Sequence, residues 1–291
     1  MTADGRVTAT ILTRNRKDLL RQSLTATLEQ TRPPDEVIVV DNESTDGTLA
    51  MLADEFPTVS VLALPENKGA TGGFCEGIAA ARRTESDWYW LMDDDSIPRP
   101  TALEELLRAV ERIDGAGRPA IMCSRVVWRD GNPHVMNRPV VARGNGPEVV
   151  ASVRNRVLPV RAVTWVSLLL AREAVERFGL PPVHFFYQAD DIEYTARILR
   201  ETRGYYVPDS VVEHRTPAQH TAVDDDHRFY YHVRNTLLML RGRAWRAREK
   251  PMLVWWLVTS SLVYLRINHL SRRAVGNFLR GLAAGARSPL G

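Results

Sequence analysis

The sequence predicts an α/β protein: an open, mostly parallel sheet with helices on both faces, continued by a C-terminal helical segment. Three features carry that expectation. Between residues 7 and 128, short apolar runs alternate with stretches of helical spacing. The runs are apolar throughout instead of alternating with polar residues, as strands covered on both faces are. The first four runs also each end in polar groups, at the edge where open α/β sheets receive their ligands.

Residues 7–12 form the first strand, ending at Thr13, Arg14, Asn15 and Arg16. Leu20, Leu24 and Leu28 recur at helical spacing across residues 17–30, and Pro33 with Pro34 ends that helix. Residues 36–40 are a second strand closed by Asp41, Asn42, Glu43 and Ser44, followed by a short helix over 48–55 and a third strand over 58–64. The glycine-rich loop 67–73 opens a helix reaching Ala81. Residues 88–92 are the fourth strand and run directly into Asp93, Asp94 and Asp95, then a proline-containing helix start and a helix over 102–112.

A strand over 120–128 leads into residues 129–159, rich in Gly, Pro, Asn and Arg, where weak periodicity points to extended pairs and loops over the site. A buried strand over 164–170, a short helix over 172–177 and a helix from Asp190 to about Thr202 come next. Two short strands, 205–207 and 211–212, end at Glu213, His214, Arg215 and Thr216, before a polar loop over 217–226. From Arg228 onward the pattern is helical. Residues 252–265 are apolar on nearly every face and, at fourteen residues, too short to span a bilayer, so they either pack at a subunit contact or lie in a membrane interface. Residues 271–282 are amphipathic, with Val275, Phe278, Leu279 and Leu282 on one side and arginines outside them.

At 291 residues, 44% apolar and 25% charged, the chain has the composition of an ordinary globular protein. Cys75 and Cys123 are too few for a disulfide framework or a zinc site. The first residues resemble no secretory signal, which places the expected location in the cytoplasm. The net charge of +3 is unevenly spread. From His227 to the end there are twelve Arg or Lys and one acid, Glu249, so the body before it carries −8. An acidic body with a basic, apolar tail suits an anionic surface.

The acidic triplet has the sharpest chemistry. Three adjacent carboxylates repel one another and lose hydration when buried, so a positive group belongs among them. A divalent cation is one such group, because alternate side chains, Asp93 and Asp95, can turn toward one ion; a solvated acidic turn capping the next helix is the other reading. His214 is weighed as a third ligand against a satisfied polar residue at a strand end. Asp41 at the tip of the second strand suits a ribose or base contact, or a turn cap. Asp190 opens a helix as an N-cap carboxylate would; Asp191 is harder to explain as a cap. The glycine loop follows the third strand and lacks the G-x-G-x-x-G spacing, which disfavours a dehydrogenase, and no G-K-[ST] P-loop occurs.

Taken in order, Thr13-Arg14-Asn15-Arg16, Asp41-Asn42-x-Ser44-x-Asp46-Gly47-Thr48, Asn67-Lys68-Gly69-x-x-Gly72-Gly73-Phe74, Asp93-Asp94-Asp95 and Asp190-Asp191-Ile192-Glu193 resemble the family-2 inverting glycosyltransferases of the GT-A fold. The match covers roughly residues 7 to 240 and looks most like actinobacterial galactofuranosyltransferases of cell-wall galactan synthesis. The resemblance implies a GT-A catalytic domain over 1–226, with a nucleotide-binding half (1–118) and an acceptor-binding half (119–226), and a tail over 227–291. It implies that Thr13, Arg14, Asp41, Asn67, Gly69, Gly72, Gly73, Asp93 and Asp94 hold the donor, that Asp93, Asp95 and His214 hold Mn2+ or Mg2+, and that Asp191 is the general base with Asp190 beside it.

The implied partners are a UDP-sugar, best UDP-galactofuranose, a lipid-diphosphate-linked glycan acceptor and the inner face of the cytoplasmic membrane, with a homo-oligomer as the other use of the apolar tail and no nucleic acid. Rhamnosyltransferases using dTDP-rhamnose share much of the pattern. A non-catalytic nucleotide-sugar-binding protein is the alternative of a different class. A nucleotidyltransferase is disfavoured, because residues 13–16 contain no glycine. The Q-x-x-R-W motif of the processive synthases is absent, which implies addition of one or a few sugars.

Overall fold

The computed structural model describes residues 5–113, 117–143, 146–219, 223 and 226–289. Most of the tip of the polar loop expected over 217–226 lies outside the described residues. Four strands, β1 (Val7–Thr13), β2 (Glu36–Asp41), β3 (Ser60–Ala63) and β4 (Trp88–Asp93), alternate with helices α1 (Lys17–Leu28), α2 (Thr48–Glu55) and α3 (Gly69–Ala81). The second half contributes β5 (Ser96–Pro98), α4 (Ala102–Arg112), β6 (Ile121–Val127), β7 (Val140–Val141), α5 (Gly146–Arg154), β8 (Leu158–Ala162), β9 (Leu168–Ala171), α6 (Arg172–Phe178), α7 (Asp190–Leu199) and β10 (Gly204–His214). Among the described residues the tail holds the α-helices α8 (Asp226–Arg241), α9 (Lys250–Ile267) and α10 (Arg272–Arg287).

The ten strands among the described residues join one sheet in the order β3-β2-β1-β4-β9-β6-β10-β8-β7, with β5 paired to β10 off that path. β3, β2, β1, β4, β6 and β10 run the same way, with β9 reversed between β4 and β6. Most of the apolar runs are buried on both faces as expected: every residue of β1 and of β9 is buried, and Trp88, Tyr89, Trp90, Leu91 and Met92 of β4 are enclosed, whereas the edge strand β3 exposes Ser60, Val61 and Ala63. One hydrophobic cluster extends from Val7 to Val212, so both halves of the sheet share a core.

Four local expectations change. Residues 96–98 are not a helix start but β5, antiparallel to the end of β10 with His214 opposite Ser96. Pro98 is tolerated there because this short strand pairs on one side only. Residues 129–159 contain helix α5, whose valines Val149, Val150 and Val153 point to solvent while Ser152 is its buried residue. That inverted pattern is why no amphipathic signal points inward. The strand expected over 164–170 shortens to β9, and the two short strands near 205–212 are one β10 with an irregularity between Val207 and Val211.

In the tail, α10 packs on α8 through small residues. A Cβ on Gly281 would lie 2.9 Å from Val233 Cβ and one on Gly285 2.8 Å from the Arg234 carbonyl, so glycine lets the backbones approach. The buried stripe of α10 is therefore Ala274, Asn277, Gly281 and Gly285, with Phe278 and Leu282 of the expected apolar side partly covered and Leu279 exposed. Phe229 of α8 stacks on Tyr264 of α9 at 3.6 Å. The opposite side of α9 leaves Trp255 (67%) and Leu262 (64%) exposed along with Val254, Val258 and Ile267. Among the described residues, no helix is long and apolar enough to cross a membrane.

Candidate active site

The register of the parallel strands brings the acidic triplet to the tip of β1. Leu12 pairs with Asp93 and Thr13 with Asp41, so Thr13 stands between the ends of β2 and β4. Its Oγ1 donates to Asp94 Oδ2 at 2.8 Å, and the Arg14 backbone N–H reaches the same oxygen at 3.3 Å. Arg16 Nη1 lies 3.2 Å from Asp94 Oδ1 and 2.6 Å from Asp95 Oδ2. The positive group demanded by the triplet is thus partly supplied by the chain itself. Arg16 was visible in the Thr-Arg-Asn-Arg run, but nothing in the spacing distinguished it from Arg14, whose guanidinium turns outward to Glu43.

His214 reaches the triplet because β5 pairs with β10 and the Arg215 N–H donates to the Asp95 carbonyl at 2.8 Å. Its Nε2 is 3.0 Å from Asp95 Oδ1, and its Nδ1 is 2.8 Å from Asn137 Oδ1. The Asn137 amide also donates from Nδ2 to Thr164 Oγ1 at 2.9 Å, which turns its oxygen toward the imidazole and keeps a proton on Nδ1. Nε2, which faces Asp95 Oδ1, is then the ring nitrogen that can carry a second proton or meet a cation.

A cation can take that place. Asp93, Asp95 and His214 each offer one ligand atom within 4.8 Å of the others, and two carboxylates with an imidazole suit a divalent ion such as Mn2+ or Mg2+. The donor set therefore fits a metal. Burial, then the charges of Asp95 and Asp94, push the Asp93 carboxyl well above the ordinary range. Burial lifts Asp94 to about 6 despite Arg16. For Asp95 burial acts upward too, but the His214 hydrogen bond and charge, with Arg16, hold it at about 2.

Across the cavity, α7 begins with Asp190 and Asp191. Asp190 is buried, accepts from Trp165 Nε1 at 2.9 Å, and is raised by burial. Trp165 is fixed in turn by stacking on Phe74 at 4.7 Å. Asp191 is raised to about 8, first by burial and then by the charge of Asp190. A carboxylate with its proton affinity lifted toward neutrality is suited to accept a proton.

The loop before α7 is strained: Phe186, Gln188 and Ala189 have φ of 61°, 67° and 62°. It is held from two sides. Asn235 of α8, fully buried, directs Nδ2 to the carbonyls of Phe185 (3.1 Å), Tyr187 (2.8 Å) and Gln188 (2.6 Å). From the other side Gly69 sits against Phe186, whose carbonyl oxygen would be 2.3 Å from a Cβ at that position. Gly69 has φ +71, so both its backbone and this approach require glycine.

Most of the residues expected at the donor site meet in one cavity of about 1170 Å3: Thr13, Arg14, Asn67, Gly69, Asp93, Asp94 and Asp95, with Asp190, Asp191 and His214. Gly72, Gly73 and Asp41 are not among its lining. Gly73 lies in α3 against Leu12, Gly72 against Lys68, and Asp41 is buried with Oδ2 accepting from the Ser44 N–H. The glycine-rich stretch is the first turns of α3 and not a free loop, which gives its glycines a packing reason. Asn42 organises the start of that helix, donating to Asn67 Oδ1 and the Gly69 carbonyl and accepting from the Lys68 N–H. The far wall of the cavity is built by the tail, through Arg228, His232, Thr236 and Met239 of α8 and Trp256 of α9. Asn137, Trp165 and Asn235 carried no sequence signal of their own, because each acts through a neighbour remote in the chain.

Among solved structures, the chain superposes on S. aureus TarS 1-349 in complex with UDP with a TM-score of 0.63 at 14% identity, over 95% of this chain and 81% of that one. It superposes on the mannosyltransferase PcManGT from Pyrobaculum calidifontis in complex with GDP-Man and Mn2+ with a TM-score of 0.57 at 20% identity, over 97% and 86% of the two chains. At such identities the likeness is one of fold, and the fold is that of the GT-A glycosyltransferases. The chain belongs to glycosyl transferase family 2, whose pattern matches residues 8–156, just over half of its length. It is therefore a glycosyltransferase. It is 27% identical to galactofuranosyltransferase GlfT1 of Mycolicibacterium smegmatis over 94% of this chain and 98% of that protein. It is also 26% identical to N-acetylglucosaminyl-diphospho-decaprenol L-rhamnosyltransferase of Mycobacterium tuberculosis, over 75% of this chain and 79% of that protein.

Proposed function

We propose that the protein transfers galactofuranose from UDP-galactofuranose, with inversion, onto a polyprenyl-diphosphate-linked glycan in cell-wall galactan synthesis. The observation that carries the transfer chemistry is the arrangement across one cavity, the Asp93, Asp95 and His214 ligand set on one wall and the raised carboxyl of Asp191 on the other, and the similarity to a galactofuranosyltransferase favours the sugar. Thr13, Arg14, Asn67, Asp93 and Asp94 would hold the donor at the strand tips, with Asp41, Gly69, Gly72 and Gly73 shaping that end. Asp93, Asp95 and His214 would hold Mn2+ or Mg2+, which when bound neutralises the departing diphosphate. Asp191 takes the proton from the acceptor hydroxyl as it attacks the anomeric carbon, a contribution of about 100 to 10,000-fold. Asp190, anchored by Trp165, keeps Asp191 in place and its proton affinity high.

Residues 1–118 would serve the donor, 119–226 the acceptor, and 227–291 would both close the acceptor side and seat the protein on the inner face of the cytoplasmic membrane. Exposed Trp255 and Leu262, with Arg266, Arg272 and Arg273 near the end of α9, support that seating over a second subunit as the cover of this face. The similarity to a rhamnosyltransferase favours one other donor, dTDP-rhamnose. Incubation with Mn2+, a polyprenyl-diphosphate glycan and either UDP-galactofuranose or dTDP-rhamnose, with products weighed by mass spectrometry, separates the two. Addition of galactofuranose alone is expected; addition of rhamnose alone overturns the donor assignment, and no addition of either sugar overturns the reading.

A further inference from the structure

A second cavity, of about 1020 Å3, lies beside the first, between the β7–β8 pair, α5 and the start of α9. Val140 lines both cavities, and consecutive residues of α9 divide between them, Trp255 facing the second and Trp256 the first. Nothing in the sugar-transfer chemistry uses this space. Its lining is mostly apolar, including Val141, Ala151, Tyr205 and Met252, while Arg143, Arg203, Arg246 and Arg248 also border it. These four arginines are exposed at the surface. Trp245 lines it too, and its buried indole N–H, which can only donate, finds no acceptor among the described residues. Outside, α5 turns Val149, Val150 and Val153 (72% exposed) to solvent, and Trp255 is exposed on α9.

We infer that this second cavity takes the isoprenoid chain of a polyprenyl-diphosphate acceptor, with the bordering arginines facing its diphosphate, while the glycan end lies in the neighbouring catalytic cavity. The inference rests on the lipid-linked acceptor proposed above. The apolar lining matches the chain, the four exposed arginines outnumber the lining acids Glu148 and Glu249, the latter paired with Arg161, and so match an anionic head, and the shared wall at Val140 connects lipid and glycan ends of one molecule. A bilayer phospholipid has the same head-and-chain chemistry. The polyprenyl chain is favoured because the space adjoins the site where its glycan would react.

The test uses farnesyl diphosphate, which has the isoprenoid and the diphosphate but no sugar, titrated calorimetrically into the full chain with EDTA present so that the cation site cannot recruit the diphosphate. Wild-type protein is expected to bind. Ala151→Trp, which fills the space from an exposed position on α5, and Arg248→Glu, which reverses an exposed charge, should each weaken binding tenfold or more. Should Ala151→Trp fail to fold, Arg248→Glu decides. Absence of wild-type binding, binding indifferent to Arg248→Glu, or displacement by phosphatidylglycerol vesicles as readily as by decaprenyl phosphate each overturns the inference. Farnesyl diphosphate binding in a protein that transfers no sugar to the lipid-linked glycan would instead sink the proposed function and leave the lipid cavity standing.

Discussion

Asn235 Nδ2 lies 2.6 Å from the carbonyl oxygen of Gln188, and the same amide reaches the carbonyls of Phe185 and Tyr187. A buried side chain of the tail thereby fixes the left-handed turn from which Asp191 projects. Removing it takes a donor from the Tyr187 and Gln188 carbonyls at a strained loop, while the Phe185 carbonyl keeps Arg234 and the Tyr187 N–H. Asn235→Ala is expected to lower kcat about tenfold or more, with KM for the donor within about twofold. Asn235→Asp, isosteric but presenting a carboxylate to carbonyls, should fall at least as far. Steady-state kinetics alongside circular dichroism checks this; wild-type kcat in either folded variant would detach the tail from catalysis.

Asp191 should behave as the proton acceptor. Asp191→Asn should lose about 100 to 10,000-fold in kcat while UDP affinity, read by calorimetry, stays unchanged. Because burial and Asp190 raise the carboxyl to about 8, and the ionised form is the active one, kcat should rise with pH through that region. A bound cation, adding positive charge nearby, moves the midpoint down. A rate that falls as pH rises from 6 to 8 would be incompatible with a base at this position.

Asn137 acts on the cation through His214. Asn137→Ala frees the imidazole to place its proton on either nitrogen, so the Mn2+ needed for half-maximal activity should increase about 10 to 100-fold, with kcat recovered at saturating metal. Titration of activity against Mn2+ reads this directly. An unchanged metal requirement would mean that the 2.8 Å contact to His214 Nδ1 has no bearing on ligation.

The same carboxylates set the response of folding stability to pH. Asp93, Asp94 (about 6) and Asp191 (about 8) have folded values raised above the unfolded one. Their contribution is fully present below about pH 4 and lost as pH climbs through the raised values. Asp95, held at about 2, works the other way and keeps its contribution above pH 4. Metal-free protein should therefore lose stability from these three groups between about pH 4 and 8, the window in which a cation gains ionised ligands. The shift in Tm on adding Mn2+ should be larger at pH 8 than at pH 5. Differential scanning fluorimetry tests it, and a larger shift at pH 5 would contradict the ligand assignment.

The parallel core was legible because it depends on local composition: strands buried on both faces must be apolar throughout, and residues 7–12, 36–40 and 88–92 are. The acidic tip of β4 was legible for the same reason, since three charges after five apolar residues have few structural uses. What stayed hidden depends on pairing between distant segments. Ser96-Ile97-Pro98 looks like a helix entry until β10 returns to pair with it, and only that pairing puts His214 beside Asp95. Arg16 looked no different from Arg14 until the β1 and β4 tips met. Val149, Val150 and Val153 gave no inward-facing pattern because α5 turns them outward. The basic, apolar tail pointed to an anionic surface or a subunit contact, and that α8 and α9 also wall the catalytic cavity follows from three-dimensional closure and not from periodicity.

The most direct measurement is the position of manganese in crystals soaked with Mn2+ and UDP, located by its anomalous scattering. A single peak bonded to Asp93, Asp95 Oδ1 and His214 Nε2 and touching the UDP diphosphate is expected. A peak elsewhere, or UDP bound away from the β4 tip with those three side chains free of metal, would contradict the assignment on which the mechanism depends.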